Sequence, residues 1–196
     1  MVETYYQNAE GKRYMKKTLN TGQTWWSVER GENEFYVIAG RPTEHVTLIK
    51  TDCYVFDLDG TLFDSSPRSH LIPEQGEQPL TTHDWTQWNQ ACHLDVVIEQ
   101  VAIIARAIGA AGYDIRYVTS RCEDGISETL EALLSAGLPV GYLHMRKIGD
   151  NRCHTEIKLD EFREISKTHN ILAAFEDQDD VVITMTDAGY NMIKVL

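Results

Sequence analysis

The chain has 196 residues, 42% of them hydrophobic and 24% charged, which suits one ordinary domain or one domain with a small appendage. A formal charge of −12 argues against a long, tight nucleic-acid footprint, which needs a basic surface, but leaves room for an enzyme that grips only a chain end. The sequence has no long apolar span and no apolar leader, so no membrane partner is expected, and its four scattered cysteines form no C-x-x-C pair, which fits reduced thiols in a cytoplasm.

The first 51 residues are near neutral, with seven Lys/Arg against six Asp/Glu. Thr24–Val28 and Glu34–Ala39 read as short strands joined across Gly31, with Trp25, Trp26, Phe35 and Tyr36 as their apolar content. The expectation is a β-hairpin-like appendage over residues 1–48, followed by a main domain over 49–196. Such an appendage packs on the main domain or on a second subunit, and Trp25, Trp26 and Phe35 are the candidates for a homo-oligomer contact.

From Cys53 onward, strand and helix patterns alternate, the signature of a parallel sheet wrapped by helices. Cys53–Phe56 is a buried strand and 63–94 an irregular, Pro-containing stretch with Trp85 and Trp88. A helix is predicted over about 95–111, with Val97, Val101, Ile104 and Ile108 on one stripe and Gly112 as its stop. Then follow a strand at Asp114–Thr119, a helix near 124–136 and a strand at Val140–Met145. A helix over Glu156–Thr168, a strand at Ile171–Phe175, a helix near 179–188 and a strand at Met192–Leu196 complete the chain.

The chemistry concentrates where the first of these strands ends. Tyr54-Val55-Phe56-Asp57-Leu58-Asp59-Gly60-Thr61-Leu62 closes an apolar run with two carboxylates one residue apart. Period-2 alternation sends Asp57 and Asp59 the same way at the carboxyl end, where open α/β sheets bind ligands. Gly60 allows a sharp turn and close approach to a phosphate. Two close carboxylates repel unless a cation lies between them or one holds a proton, and a magnesium ion suits oxygen ligands of this kind.

The D-x-D-G-T-L pattern resembles the first motif of the haloacid dehalogenase (HAD) superfamily of phosphohydrolases. That resemblance implies an α/β, Rossmann-like HAD core with a mostly parallel central sheet flanked by helices, a minimal cap and a small N-terminal β-rich appendage. It implies Asp57 as the nucleophile that forms an aspartyl-phosphate, and Asp59 as general acid then base, its main-chain carbonyl also touching the metal. Thr119 matches the second motif, a hydroxyl that bonds the transferring phosphoryl group, and Lys158 the third, a charge-neutralising lysine. Glu176 and Asp177, at the end of the Ala173–Phe175 run, match the fourth, so the implied Mg2+ ligands are Asp57, Asp59, Asp177 and Glu176.

A finer resemblance is to the 3′-phosphatase domain of bacteriophage polynucleotide kinases and related phage phosphatases. It rests on Asp84-Trp85, on Val118-Thr119-Ser120-Arg121, on the run Met145-Arg146-Lys147-Ile148-Gly149-Asp150-Asn151-Arg152 before Lys158, and on Gly189 to Val195. The chain departs from that branch at Ser120, Glu176, Gln178 and His154, and no G-x-x-x-x-G-K-[ST] kinase loop exists. The resemblance implies that Ser120, Arg121, Arg146 and Arg152 bind substrate, and that the substrate is a phosphorylated nucleic-acid end or a nucleotide. A phage-encoded chain would work in the cytoplasm of a bacterial host. A small-substrate 5′(3′)-nucleotidase and a non-catalytic HAD-fold binding protein are the alternatives.

Overall fold

The computed structural model describes residues 2–30 and 35–195, the side chains of Val2, Phe35 and Tyr36 excepted. Gly31, Glu34 and Leu196, which the sequence reading assigned to a turn and to strand ends, lie outside the described residues. Cα packing divides the chain into two compact units, one made of the residues up to Thr51 with Lys167–His169, the other of Asp52–Ser166 with Asn170–Leu196.

The first unit holds strands β1 (Val2–Gln7), β2 (Arg13–Thr18), β3 (Thr24–Glu29), β4 (Phe35–Ile38) and β5 (Thr47–Leu48) in one antiparallel sheet, ordered β4-β3-β2-β1-β5. The expected hairpin is therefore two strands of five. Strands β1 and β2 escape a hydrophobic pattern because Glu3, Gln7, Arg13 and Lys17 occupy one of their faces. That face is stitched by cross-strand ion pairs, Lys17 to Glu3 at 2.6 Å and Arg13 to Glu29 at 3.0 Å. The register sets Tyr14 opposite Tyr6 and Val28, and Tyr14, Trp26 and Val28 form this unit's core.

The second unit is built on a five-stranded sheet ordered β10-β9-β6-β11-β12. Its strands are β6 (Thr51–Phe56), β9 (Asp114–Cys122), β10 (Tyr142–Arg146), β11 (His169–Glu176) and β12 (Met192–Lys194). The β10–β9, β9–β6 and β11–β12 pairs are parallel. Alternation along β6 sends Phe56 to one face, among Ile115, Tyr117 and Phe175, and Cys53 and Val55 to the other, among Val118, Phe162 and Val181. Helices α2 (Glu99–Ala110) and α3 (Ile126–Ser135) cover the first face, while α4 (His154–Ser166) and α5 (Asp179–Asp187) cover the second.

Several boundaries differ from the sequence pattern for physical reasons. α2 starts at Glu99, because Val96–Val97 (β8) pairs with Phe63–Asp64 (β7). Its core face is Val101, Ala102 and Ala105, small residues that let the helix lie close to the sheet, and Ile104 points outward. β9 continues three residues past Thr119. β10 begins only at Tyr142, with Val140 solvent-exposed. α4 begins at His154, which puts Lys158 on its second turn. The irregular stretch contains helix α1 (Thr86–Gln90) between short 3-10 turns, two of which span Ser66–Leu71 and Thr82–Trp85.

Strand order reverses at β6: the chain moves from it to β9 and β10 on one side, and to β11 and β12 on the other. The carboxyl end of β6 is thus the switch point where a crevice opens in sheets of this kind.

Candidate active site

Asp57 follows the last residue of β6 and is tied to the neighbouring strand by its own N–H, which donates to the Phe175 carbonyl at 3.1 Å. Its carboxylate is buried. Lys158, buried on α4, donates to Asp57 Oδ1 and to Glu176 Oε2, each at 2.7 Å. Burial alone would lower the Lys158 pKa, but these two carboxylates outweigh it and hold the ammonium charged.

Oxygens of Asp57, Glu176 and Asp177 lie within 4.8 Å of one another. Fully ionised, three carboxylates against one ammonium would carry two uncompensated negative charges. Burial, and then the adjacent Asp57, push Glu176 up to about 8, and burial raises Asp57 as well. A hard divalent cation satisfies both the oxygen donors and the charge imbalance, so the donor set fits a metal ion. The backbone is shaped to this cluster: Gly60 has a φ of +84°, and a Cβ there would collide with the Asp177 carboxylate. Thr61 Oγ1 donates to Asp177 Oδ1 at 3.2 Å and fixes that carboxylate from the β6 side.

The Asp59 side chain does not join this cluster. Arg121 donates to it through Nε at 2.9 Å and Nη2 at 2.8 Å, and Arg68 donates through Nη2. Both arginines also bind Asp95: Arg68 at 2.6 and 2.9 Å, Arg121 at 2.7 Å. Two carboxylates and two guanidiniums therefore alternate in a neutral ring that is closed to solvent except at Asp59. Burial pulls the Asp59 pKa upward, but Arg121 and then Arg68 win and hold it below its ordinary value. Arg68 also lies 4.2 Å over the Trp88 ring and donates to the Trp88 carbonyl at 2.6 Å.

Neither Arg68 nor Asp95 was singled out from sequence. Arg68 sits in a Ser-Pro-Arg turn without periodicity, and Asp95 looks like an ordinary residue at a helix start. Full burial of an arginine is the signal, and only the fold supplies it.

Asp57, Asp59, Thr119, Ser120, Arg121, Arg146, Arg152, Lys158 and Asp177 all line one cavity of about 920 Å3. Glu176 stands behind Lys158. Thr119 Oγ1 accepts the Arg121 N–H at 3.2 Å. Ser120 Oγ and Arg121 Nη1 are buried and have no partner. Arg146 and Arg152, which the resemblance assigns to substrate binding, also have intramolecular partners. Arg146 clamps a loop by donating to the carbonyls of Ser120, Asp150 and Arg152, and Arg152 pairs with Asp150 and Asp160. Trp88 has one face taken by Arg68 and meets Trp85 edge-on at 6.2 Å. His154 bonds Asp180 at 2.8 Å.

No curated protein matches the chain. Solved structures of similar fold include a chain of the Pnkp1/Rnl/Hen1 RNA repair complex, at TM-score 0.58 and 20% identity over 84% of this chain and 50% of that one. The class C acid phosphatase from Bacillus anthracis matches at TM-score 0.55 and 20% identity, over 74% of this chain and 66% of that one. The chain thus spans about half the length of the RNA-repair chain, and at this identity the likeness is one of fold. No helix among the described residues is long and apolar enough to cross a membrane. A family model described as HAD superfamily, subfamily IIIB (acid phosphatase) matches residues 2–194. With an acidic crevice at the switch point of a parallel sheet and that model spanning nearly its whole length, the chain belongs to the HAD superfamily, subfamily IIIB (acid phosphatase).

Proposed function

We propose that the protein is a magnesium-dependent phosphatase that works through an aspartyl-phosphate and removes 3′-phosphates from nucleic-acid ends or from related nucleotides. The observation that carries the mechanism is the buried Asp57 carboxylate, held by Lys158 in a cluster with the carboxylates of Glu176 and Asp177. Asp57 attacks phosphorus in line, and Lys158 and the Thr119 hydroxyl stabilise the negative charge on the phosphoryl oxygens. Asp57 and Asp177 would hold the magnesium ion, with Glu176 serving Lys158. When bound, the ion supplies Lewis-acid polarisation of the phosphoryl group. Asp59 gives its proton to the leaving alkoxide and then takes one from the water that opens the acyl phosphate.

The nucleic-acid part of this reading rests on the Met145–Arg152 run, on the likeness in fold to an RNA-repair protein, and on a cavity with cationic and aromatic walls. A second reading, a phosphatase of free nucleotides, draws on the fold of the class C acid phosphatase and on the acidic chain. One panel separates them: 3′-phosphorylated oligonucleotides, 3′-nucleotides, 5′-nucleotides and an aryl phosphate, each with and without EDTA. Oligonucleotide 3′-phosphates should give the highest kcat/KM, and chelation should abolish every activity until magnesium is restored. A clear preference for 5′-nucleotides would defeat the end-repair reading, and turnover unaffected by EDTA would defeat the metal.

Asp59→Asn should separate the two steps. An aryl leaving group needs little protonation, but opening the aspartyl-phosphate still needs a base. The variant should therefore release about one phenolate per enzyme in a burst and then turn over slowly. Slow, burst-free release would place the block in the first step instead, and burst-free release at the parent rate would show that Asp59 does not serve the second step.

A further inference from the structure

The cavity has two walls of different chemistry, and a pair of hydrogen bonds joins them. One wall is a strap from the segment between β7 and β8, contributing Ile72, Pro79, Leu80 and Trp85. The other is the loop between β10 and α4, contributing Arg152, with Arg146 at the end of β10 and His154 at the start of α4. The Thr82 N–H donates to Asn151 Oδ1 at 2.8 Å, and Thr82 Oγ1 accepts the Gly149 N–H at 2.9 Å. Thr82 is buried, and both Thr82 and Asn151 line the cavity.

Each wall is braced independently. Asp124 receives hydrogen bonds from Thr86 at 2.6 Å and Asn89 at 3.2 Å, which anchors the strap. Arg146 holds the loop through the carbonyls of Asp150 and Arg152. The Thr82 bonds therefore latch two stiff elements together beside the reacting carboxylates.

We propose that this latch makes Thr82 and Asn151 specificity-determining residues that restrict the enzyme to single-stranded 3′ ends. The inference rests on the nucleic-acid reading above and deepens it. A terminal base lies against the apolar strap, where the Trp85 ring offers a stacking face, and the neighbouring backbone phosphate lies toward Arg152, where it competes with Asp150 and Asp160 for the guanidinium. On this proposal the tied walls cannot part far enough to admit a base still paired to its partner. A duplex end must first give up its last pair, and that unpairing is a free-energy cost the single strand does not bear.

The test compares one 3′-phosphorylated oligonucleotide, free and annealed to a complement that pairs its last base, with aryl phosphate hydrolysis by the same preparation as reference. The native enzyme should favour the free strand by at least about tenfold in kcat/KM. Thr82→Val and Asn151→Ala each remove one latch bond and should bring that ratio toward unity, while Thr82→Ser keeps the acceptor oxygen and the ratio. If Thr82→Val does not fold, Asn151→Ala decides alone. A native ratio near one overturns the proposal, and so does a native preference that both latch variants retain. Aryl phosphate hydrolysis with no cleavage of any oligonucleotide or nucleotide would instead remove the nucleic-acid reading, and this inference with it.

Discussion

Asp57→Asn is expected to abolish turnover while leaving the fold intact. The amide cannot form an acyl phosphate, and loss of a covalent nucleophile typically costs on the order of ten-thousand-fold or more in kcat. Stability should stay within about 1 kcal/mol of the parent or rise. The Asn side-chain oxygen can still accept from Lys158, and the substitution removes a buried carboxylate whose ionisation burial already opposes. The measurement is a kcat for aryl phosphate beside a urea unfolding curve, at several magnesium concentrations. If Asp57 were only a metal ligand, excess magnesium would restore part of the rate. A nucleophile cannot be restored that way, so recovery in high magnesium would overturn the assigned role.

The residues that sequence reasoning found share a property: each stands at a position the pattern of elements can index. Asp57 ends a buried strand, Thr119 lies near the end of the next, and Asp177 follows the strand on the other side of the switch point. An apolar run that stops in a polar side chain is visible in one dimension. Arg68 and Asp95 are not, because the two are 27 residues apart in irregular chain, and nothing local distinguishes a buried ion pair from a solvated one. The N-terminal strands β1 and β2 were missed for a related reason: charged residues on one face dilute the period-2 signal. Glu176 shows how much one methylene decides. It lies within reach of the acidic cluster, but its longer arm also reaches Lys158, a bond that residue type and spacing could not specify. The latch was equally hidden, since Thr82 and Asn151 are ordinary polar residues 69 positions apart.

Arg68→Met should strongly destabilise the second unit. Arg68 is fully buried, binds two carboxylates and a carbonyl, and stacks on Trp88. Methionine matches much of the stem but leaves Asp95 dry with one guanidinium in place of two. Breaking a buried pair from one side commonly costs about 3–5 kcal/mol, because an uncompensated charge remains. Urea unfolding should show that loss. Adding Asp95→Asn should recover part of it, since the second change removes the stranded charge, and additive losses would mean the ring is not a coupled unit. The activity profile supplies an independent readout through Asp59. In the parent, Arg121 and Arg68 favour the ionised form, so the proton needed by an alkyl leaving group is present only at low pH. With Arg68 gone, the Asp59 pKa should rise, and the limb along which kcat/KM for alkyl phosphates falls should move to higher pH. Aryl phosphates, which need less protonation, should shift less. A limb that stays in place for both substrates, in a variant that remains folded, would mean that Arg68 holds the structure together without tuning the acid.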